Sequence, residues 1–145
     1  SNTVSSLPAN DFLANINLFG KSNNRDEMRE EDFTIMIKDF KDDYVAEVHQ
    51  QLCSRYKIGR VRFMYLPPKT CFPWHSDSTM RLHIPIQTDP ERAAMVLDNE
   101  LLRMPADGKA YIADTTKNHT VYNACDKLIR IHLVVVLLER PSDWQ

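Results

Sequence analysis

Residues 65–86, YLPPKTCFPWHSDSTMRLHIPI, carry the pattern from which the fold and the site of this chain are predicted. At their centre lie His75 and Asp77, two positions apart. In an extended strand, residues i and i+2 point to the same face, so this imidazole and this carboxylate can reach one small ion together. A third candidate, His119, lies downstream in DTTKNHTVYN. The three side chains predict a metal site supported by strands.

The chain around this stretch reads as a series of short strands. After Gly59, RVRFMYL alternates, with Val61, Phe63 and Tyr65 on one face, until Pro67 and Pro68 end it. Further strand-like segments are CFPWHSD, MRLHIPIQT, AAMVLDN, KAYIAD, HTVYNA and KLIRIHLVVVLLE. Six or more closely spaced strands predict an all-β sandwich or closed roll with helical support.

Helical spacing occurs before these strands, in residues 39–59. Apolar side chains there recur close to one face of a helix, at Phe40, Tyr44, Val45, Val48 and Leu52. Residues 1–30 are polar and lack periodicity, and residues 33–37 are compatible with a short strand. We therefore predict one domain over residues 1–145, with helical or irregular support in 1–58 and a β-roll core in 59–140.

Composition limits the classes of partner. The chain has 145 residues, a net charge of −2 and 26% charged residues, which is ordinary for a globular domain and gives no general attraction to nucleic acid or to anionic membranes. Three widely spaced cysteines argue against a disulfide framework, and no signal-like leader or membrane-length apolar run is visible. These features predict a cytoplasmic protein with reduced thiols.

Charged residues also occur within the most apolar strand. Arg130 is surrounded in sequence by Leu128, Ile129 and Ile131, and a guanidinium there either faces solvent or needs a buried anion. Alternation places Arg130 and His132 on one face of this strand. In the same way Arg81 and His83 share one face of their strand, opposite Leu82, Ile84 and Ile86.

Each of these signals is weak alone. A histidine and an aspartate at i and i+2 are common, Arg81 and His83 fit a solvated sheet face, and His132 is expected to be a partly exposed strand histidine. The basic cluster Arg55, Lys57, Arg60 and Arg62 is expected to be a solvated surface.

Together, three metal-type residues and two arginines on strands of one small domain favour a functional site. Two histidines and a carboxylate form the facial ligand set of non-haem Fe(II) oxygenases.

The segments YLPPKTCFPWHSDSTMRLHIPI and DTTKNHTVYNACDKLIRIHLVVVLL carry a family resemblance as well. With them, residues 60–138 resemble the aspartyl/asparaginyl β-hydroxylase family of Fe(II)/2-oxoglutarate-dependent oxygenases. The more specific parts are R-x-H-x-P after the first metal-type histidine and H-x-V-x-N before the arginine strand. The resemblance implies a double-stranded β-helix, the jelly-roll or cupin-like core.

The resemblance also implies roles for individual residues. His75, Asp77 and His119 match the catalytic iron ligands, and Arg130 matches the arginine that holds the distal carboxylate of 2-oxoglutarate. Arg81 and His83 match residues that help to bind this co-substrate. Some relatives have glycine at the position of Asp77, whereas this chain keeps the carboxylate, as related free-proline hydroxylases do.

The expected function is hydroxylation of an amino acid, a peptide side chain or a small metabolite by O₂, with 2-oxoglutarate converted to succinate and CO₂. One alternative is a non-catalytic cupin-type protein that binds a metal or small ligand, because the same ligands also suit zinc. A nucleic-acid demethylase of related chemistry is a third candidate, disfavoured by the net negative charge.

Overall fold

The computed structural model describes residues 4–6, 44–142 and 144. Within them, residues 44–53 form one helix, α1, and nine strands follow the order of the chain. The strands are β1 (Val4–Ser6), β2 (Ile58–Leu66), β3 (Thr70–Cys71), β4 (Arg81–Gln87), β5 (Ala93–Leu97), β6 (Glu100–Leu102), β7 (Tyr111–Ala113), β8 (His119–Asn123) and β9 (Arg130–Leu137).

The strands form two antiparallel sheets that face each other. The larger sheet has the order β1-β7-β4-β9-β2, and the smaller one has the order β3-β8-β5-β6. Neighbours in each sheet come from distant parts of the sequence, as when β4 and β7 pair through Leu82 and Ile112. This interleaved arrangement is the double-stranded β-helix, or jelly roll.

The larger sheet has an apolar outer face, which α1 covers. Alternate residues of β4 and β9, among them Leu82, Ile84 and Leu133, are buried against Tyr44 and Leu52 of the helix. A helix needs one apolar stripe for such packing, and residues 44–53 supply it. The helix prediction is therefore confirmed for residues 44–53, but its predicted end at Gly59 is wrong, because residues 54–57 form a turn and β2 already begins at Ile58. The predicted start at residues 39–43 lies outside the described residues, as does the candidate strand at 33–37.

A second apolar cluster lies between the sheets. It contains Leu66, Met95, Leu97 and Val121, with Phe72 packed at its edge. The inner faces of the two sheets thus meet in an apolar core. Polar residues of β2, β4, β8 and β9 face the same interior and border this cluster, since Phe72, Met95 and Val121 line one cavity together with them.

Two strands were not predicted. β1 pairs with β7 through Ser5 and Ile112, so part of the segment assigned to irregular support joins the larger sheet. β6 forms a hairpin with β5, closed by Asp98 and Asn99, whose φ angles are 51° and 63°. Consecutive positive φ values at Asp and Asn are typical of a type I′ turn, and the sequence pair Asp98-Asn99 is the signal that indicates it.

Candidate metal and co-substrate site

Three metal-type side chains converge between the sheets. The potential ligand atoms of His75, Asp77 and His119 all lie within 4.8 Å of one another. An Asp77 oxygen is 3.8 Å from His75 Nε2, and the other is 3.6 Å from His119 Nε2. Two ligands of one ion at about 2.1 Å are at most about 4.2 Å apart, so each imidazole can share an ion with the aspartate. The structure therefore brings together the three residues selected from the sequence.

Backbone pairing brings these residues together. His119 begins β8, and its main chain forms an isolated antiparallel bridge with His75, through hydrogen bonds of 2.8 and 3.0 Å. The main-chain N–H of Asp77 donates to Thr115 O at 2.8 Å. His75 and Asp77 therefore lie in the loop between β3 and β4 and not in the predicted strand, and this loop is attached to the first residue of β8 and to Thr115 before it.

Both imidazoles have a defined orientation. His75 Nδ1 is 2.8 Å from Pro73 O, and His119 Nδ1 is 2.9 Å from Lys117 O. Because a carbonyl oxygen only accepts hydrogen bonds, each Nδ1 must carry the proton. In the neutral ring, the lone pair that metal coordination requires is then on Nε2, the atom nearest Asp77. His119 is buried and His75 lies at the surface, so the site has a closed side and an open side.

A cavity of about 100 Å³ lies next to these ligands. Its polar lining consists of the three metal-type residues together with Arg62, Arg81, His83, Thr115 and Arg130. Its apolar lining consists of Met64, Phe72, Met95, Val121 and Val134. Three guanidinium groups and one carboxylate around a small volume make a positively charged recess, which attracts anionic ligands.

Arg130 is the most deeply buried of these cations. Its side chain is 4% exposed, and burial lowers the pKa of the guanidinium to about 9. Within residues 44–142, no aspartate or glutamate forms an ion pair with it, and its recorded hydrogen bond is from Nη2 to His132 Nδ1 at 2.9 Å. A buried guanidinium with a neutral partner is costly unless an anion joins it, and carboxylate fits its fork best.

Arg81 lies beside the metal-type cluster. Its Nη2 is 3.9 Å from Asp77 Oδ1, and its Nη1 donates to Thr79 O at 2.8 Å and to the Thr79 hydroxyl. The guanidinium is thus held by the loop before β4 and directed toward the aspartate. Of the two arginines selected from the sequence, one lies next to Asp77 and the other lies deep in the recess.

His83 and His132 were only partly anticipated. His83 lines the cavity as its alternation predicted, but His132 is 1% exposed, so the expectation of a partly exposed histidine was wrong. The smaller sheet covers this face of β9, and alternation within one strand cannot reveal that. Their Nδ1 atoms are 3.0 Å apart, and burial, reinforced by the charge of Arg130, lowers both pKa values, that of His83 to about 3.

Arg62 contributes to the cavity, which its place in the basic cluster does not predict. The cluster of four basic residues was expected to be a solvated surface, and Arg62 is indeed exposed, yet it also lines the cavity. Burial and the neighbouring charges of Arg60 and Arg81 lower the pKa of Arg62. The alternation of β2 contained the signal, since Arg62 and Met64 share the face that turned inward.

Comparison with known proteins agrees with this architecture. A family model described as aspartyl/asparaginyl beta-hydroxylase matches residues 43–141. No curated protein matches the chain. No helix among the described residues is long and apolar enough to cross a membrane.

Two solved structures share the fold. An oxidoreductase of the 2OG-Fe(II) oxygenase family from Burkholderia pseudomallei has 14% identity and a TM-score of 0.54, with 99% of this chain and 88% of that chain covered. A prolyl-4-hydroxylase from Pseudomonas putida has 16% identity and a TM-score of 0.51, with 95% and 93% covered. At such identities the similarity is one of fold.

Proposed function

Because this chain belongs to the aspartyl/asparaginyl beta-hydroxylase family, we propose that it is an Fe(II)- and 2-oxoglutarate-dependent dioxygenase. It hydroxylates an amino acid, a peptide side chain or a small metabolite and releases succinate and CO₂. The observation that carries this proposal is the pair of imidazoles that direct their Nε2 atoms toward Asp77, next to a buried arginine without a carboxylate partner among the described residues.

The donor set fits an Fe(II) ion. His75, Asp77 and His119 supply two nitrogen ligands and one carboxylate on one side, the combination that leaves further coordination positions open. The carbonyls of Pro73 and Lys117 fix the two rings by accepting from Nδ1. With 2-oxoglutarate, Fe(II) supplies the activation of O₂ that no amino-acid side chain can provide.

The remaining polar groups fit a dicarboxylate. Arg130 offers a buried guanidinium fork for the distal carboxylate of the co-substrate, and Arg81 adds positive charge beside Asp77. The apolar side chains of Met64, Phe72 and Val134 limit the access of water to the rest of the recess. In this proposal the open side next to His75 receives O₂ and the substrate.

Anaerobic addition of Fe(II) and then 2-oxoglutarate tests the proposal. We expect a weak visible absorption band that requires both additions and that is absent in His75→Ala. His49→Ala is the matched control, because His49 is an exposed helix residue. With air and candidate substrates, succinate should then form. A correctly metal-loaded protein without the band, or one that retains metal but never forms succinate, would instead support a non-catalytic cupin-type binding protein.

A further inference from the structure

Three buried nitrogen side chains contact one another beside the cavity: Arg130 and His83 line it, and His132 contacts both of them. Arg130 and His132 lie on β9, and His83 lies on the adjacent β4, whose pairing sets Pro85 opposite His132. The three side chains are 4%, 1% and 5% exposed. His132 Nδ1 is 2.9 Å from Arg130 Nη2 and 3.0 Å from His83 Nδ1. One nitrogen atom of His132 thus contacts both neighbours.

The charge of Arg130 determines where the protons lie. A guanidinium has donors and no acceptor, so His132 Nδ1 must be the acceptor of the first bond. His132 therefore carries its proton on Nε2. The single lone pair of His132 Nδ1 is then shared with the second contact, which is a hydrogen bond only if His83 donates, because His132 Nδ1 has no proton to give. This favours a proton on His83 Nδ1.

The alternative proton positions are unfavourable. A proton on His132 Nδ1 would place two N–H groups against each other at 2.9 Å, between two buried side chains. A charged His132 is disfavoured by burial and by the charge of Arg130, both of which lower its pKa. The neutral Nε2–H form is the one compatible with both contacts, and it leaves the buried Nε2–H of His132 without a hydrogen-bond partner among the described residues.

This arrangement changes what His83 can bind. Its Nε2 has no proton and no hydrogen-bond partner among the described residues, and the ring lines the cavity. An ionised carboxylate offers only acceptors, so it cannot form a hydrogen bond with this nitrogen. An O–H or N–H group can. The arrangement differs from the expectation, based on family resemblance, that His83 helps to bind the co-substrate.

We propose that His132 is a positioning residue that holds Arg130 for a carboxylate and fixes His83 as a hydrogen-bond acceptor for an O–H or N–H group in the cavity. The carboxylate part rests on the proposed function, since the anion in question is 2-oxoglutarate. The tautomer part rests on the contacts among the three side chains alone. The two parts call for separate experiments.

The tautomers are measured by ¹H–¹⁵N correlation spectra of the full chain with ¹⁵N-labelled histidines, loaded with diamagnetic Zn(II). We expect His83 to be protonated at Nδ1 and bare at Nε2, and His132 to be protonated at Nε2. His83→Gln and His132→Asn assign the two sets of signals. A bare Nδ1 on His83, or a proton on His132 Nδ1, would overturn the proposal regardless of whether 2-oxoglutarate binds.

The positioning role is tested by two substitutions of His132. His132→Asn keeps an acceptor oxygen near the position of Nδ1, whereas His132→Leu removes it. A hydrogen bond to a charged group changes binding by roughly tenfold or more, so we expect the Kd for 2-oxoglutarate to rise about tenfold in His132→Leu and less than about threefold in His132→Asn. His83 in the leucine variant should show both tautomers.

These outcomes separate the two proposals. If wild-type protein gives the visible band with Fe(II) and 2-oxoglutarate but His132→Leu binds with unchanged Kd, the positioning role is wrong and the proposed function stands. If wild-type protein does not bind 2-oxoglutarate, the proposed function fails, the carboxylate part fails with it, and the histidine spectra alone decide the tautomers. Should His132→Leu not fold, His132→Asn and the wild-type spectra still decide the tautomer part.

Discussion

The main chains of His75 and His119 exchange two hydrogen bonds, His75 N–H to His119 O at 3.0 Å and His119 N–H to His75 O at 2.8 Å. This single bridge holds the two imidazole rings with their centroids 4.3 Å apart. The side chains contribute nothing to these bonds. The scaffold of the site is therefore independent of the groups that would hold the metal, and those groups can be replaced without removing the scaffold.

Because main-chain bonds hold the site together, a ligand side chain can be removed without loss of the fold. His75→Ala should lower the affinity for Zn(II) or Fe(II) by well over roughly tenfold, because one of three ligands is lost. The free energy of unfolding should change by less than about 1 kcal/mol, because the side chain is at the surface. Calorimetric metal titration and urea denaturation measure the two effects, with His49→Ala as control. Unchanged metal affinity would refute the ligand assignment.

Arg130 should stabilise the complex and destabilise the ligand-free protein. In Arg130→Met, an apolar side chain replaces a buried cation without a carboxylate partner among the described residues, so the free energy of unfolding should rise by about 1 kcal/mol. The affinity for 2-oxoglutarate should fall roughly a hundredfold.

Urea denaturation without ligand and titration with 2-oxoglutarate measure the two effects of Arg130→Met. Arg130→Lys is the matched control, since it keeps the charge and loses the planar fork. We expect this variant to gain no stability and still to bind more weakly than wild type. A methionine variant that is less stable and binds normally would contradict the role of Arg130.

Stability should decrease in mild acid because of the two buried imidazoles. In the unfolded chain a histidine takes up a proton near pH 6.5, whereas in the folded protein burial lowers the pKa of His83 to about 3 and that of His132 well below its ordinary value. At pH values between the unfolded-state pKa and the folded-state pKa, the unfolded state binds more protons than the folded state. The free energy of unfolding is therefore highest above about pH 6.5 and falls as the pH decreases toward 3.

In this pH range, each buried imidazole makes the free energy of unfolding change by roughly 1 kcal/mol per pH unit. Urea denaturation at several values between about pH 7.5 and about pH 4.5 measures the slope, and His132→Asn should reduce it by about one imidazole's share. Identical slopes for the variant and the wild type would show that His132 is not buried as a neutral group.

Asn123 should be important for stability. Its Nδ2 donates to Leu66 O at 3.0 Å and Leu128 O at 2.8 Å, and its Oδ1 accepts from Cys125 N–H at 3.1 Å. The side chain is 1% exposed, so Asn123→Ala leaves three buried backbone groups without this partner. We expect a loss of about 2–4 kcal/mol in the free energy of unfolding.

The exposed Asn118→Ala is the control for this experiment and should change stability by less than about 0.5 kcal/mol. Both variants are compared by urea denaturation under the same conditions. A comparable small effect in Asn123→Ala would mean that water replaces the amide without cost.

The positions on β4 and β9 illustrate what alternation alone can predict. The pattern predicts Leu82 and Leu133 on the core face and Arg130 on the opposite face, and the structure agrees. This works because successive side chains of a strand point to opposite faces of the sheet. β6 was not predicted, because three residues are too few to show a period. The burial of His132 was not predicted either, because it depends on a second sheet.

The sequence by itself determined which residues are chemically suited to this site, His75, Asp77, His119 and Arg130, and on which face of each strand a side chain lies. Residue type and the two-residue period of a strand are local properties, so they can be read without a structure. Only the tertiary structure decided that the two imidazoles meet across Asp77, that Arg130 lacks a carboxylate partner among the described residues, and that His132 joins Arg130 to His83. These relationships depend on the pairing of distant strands and on the covering of one sheet by another, which the local pattern does not contain.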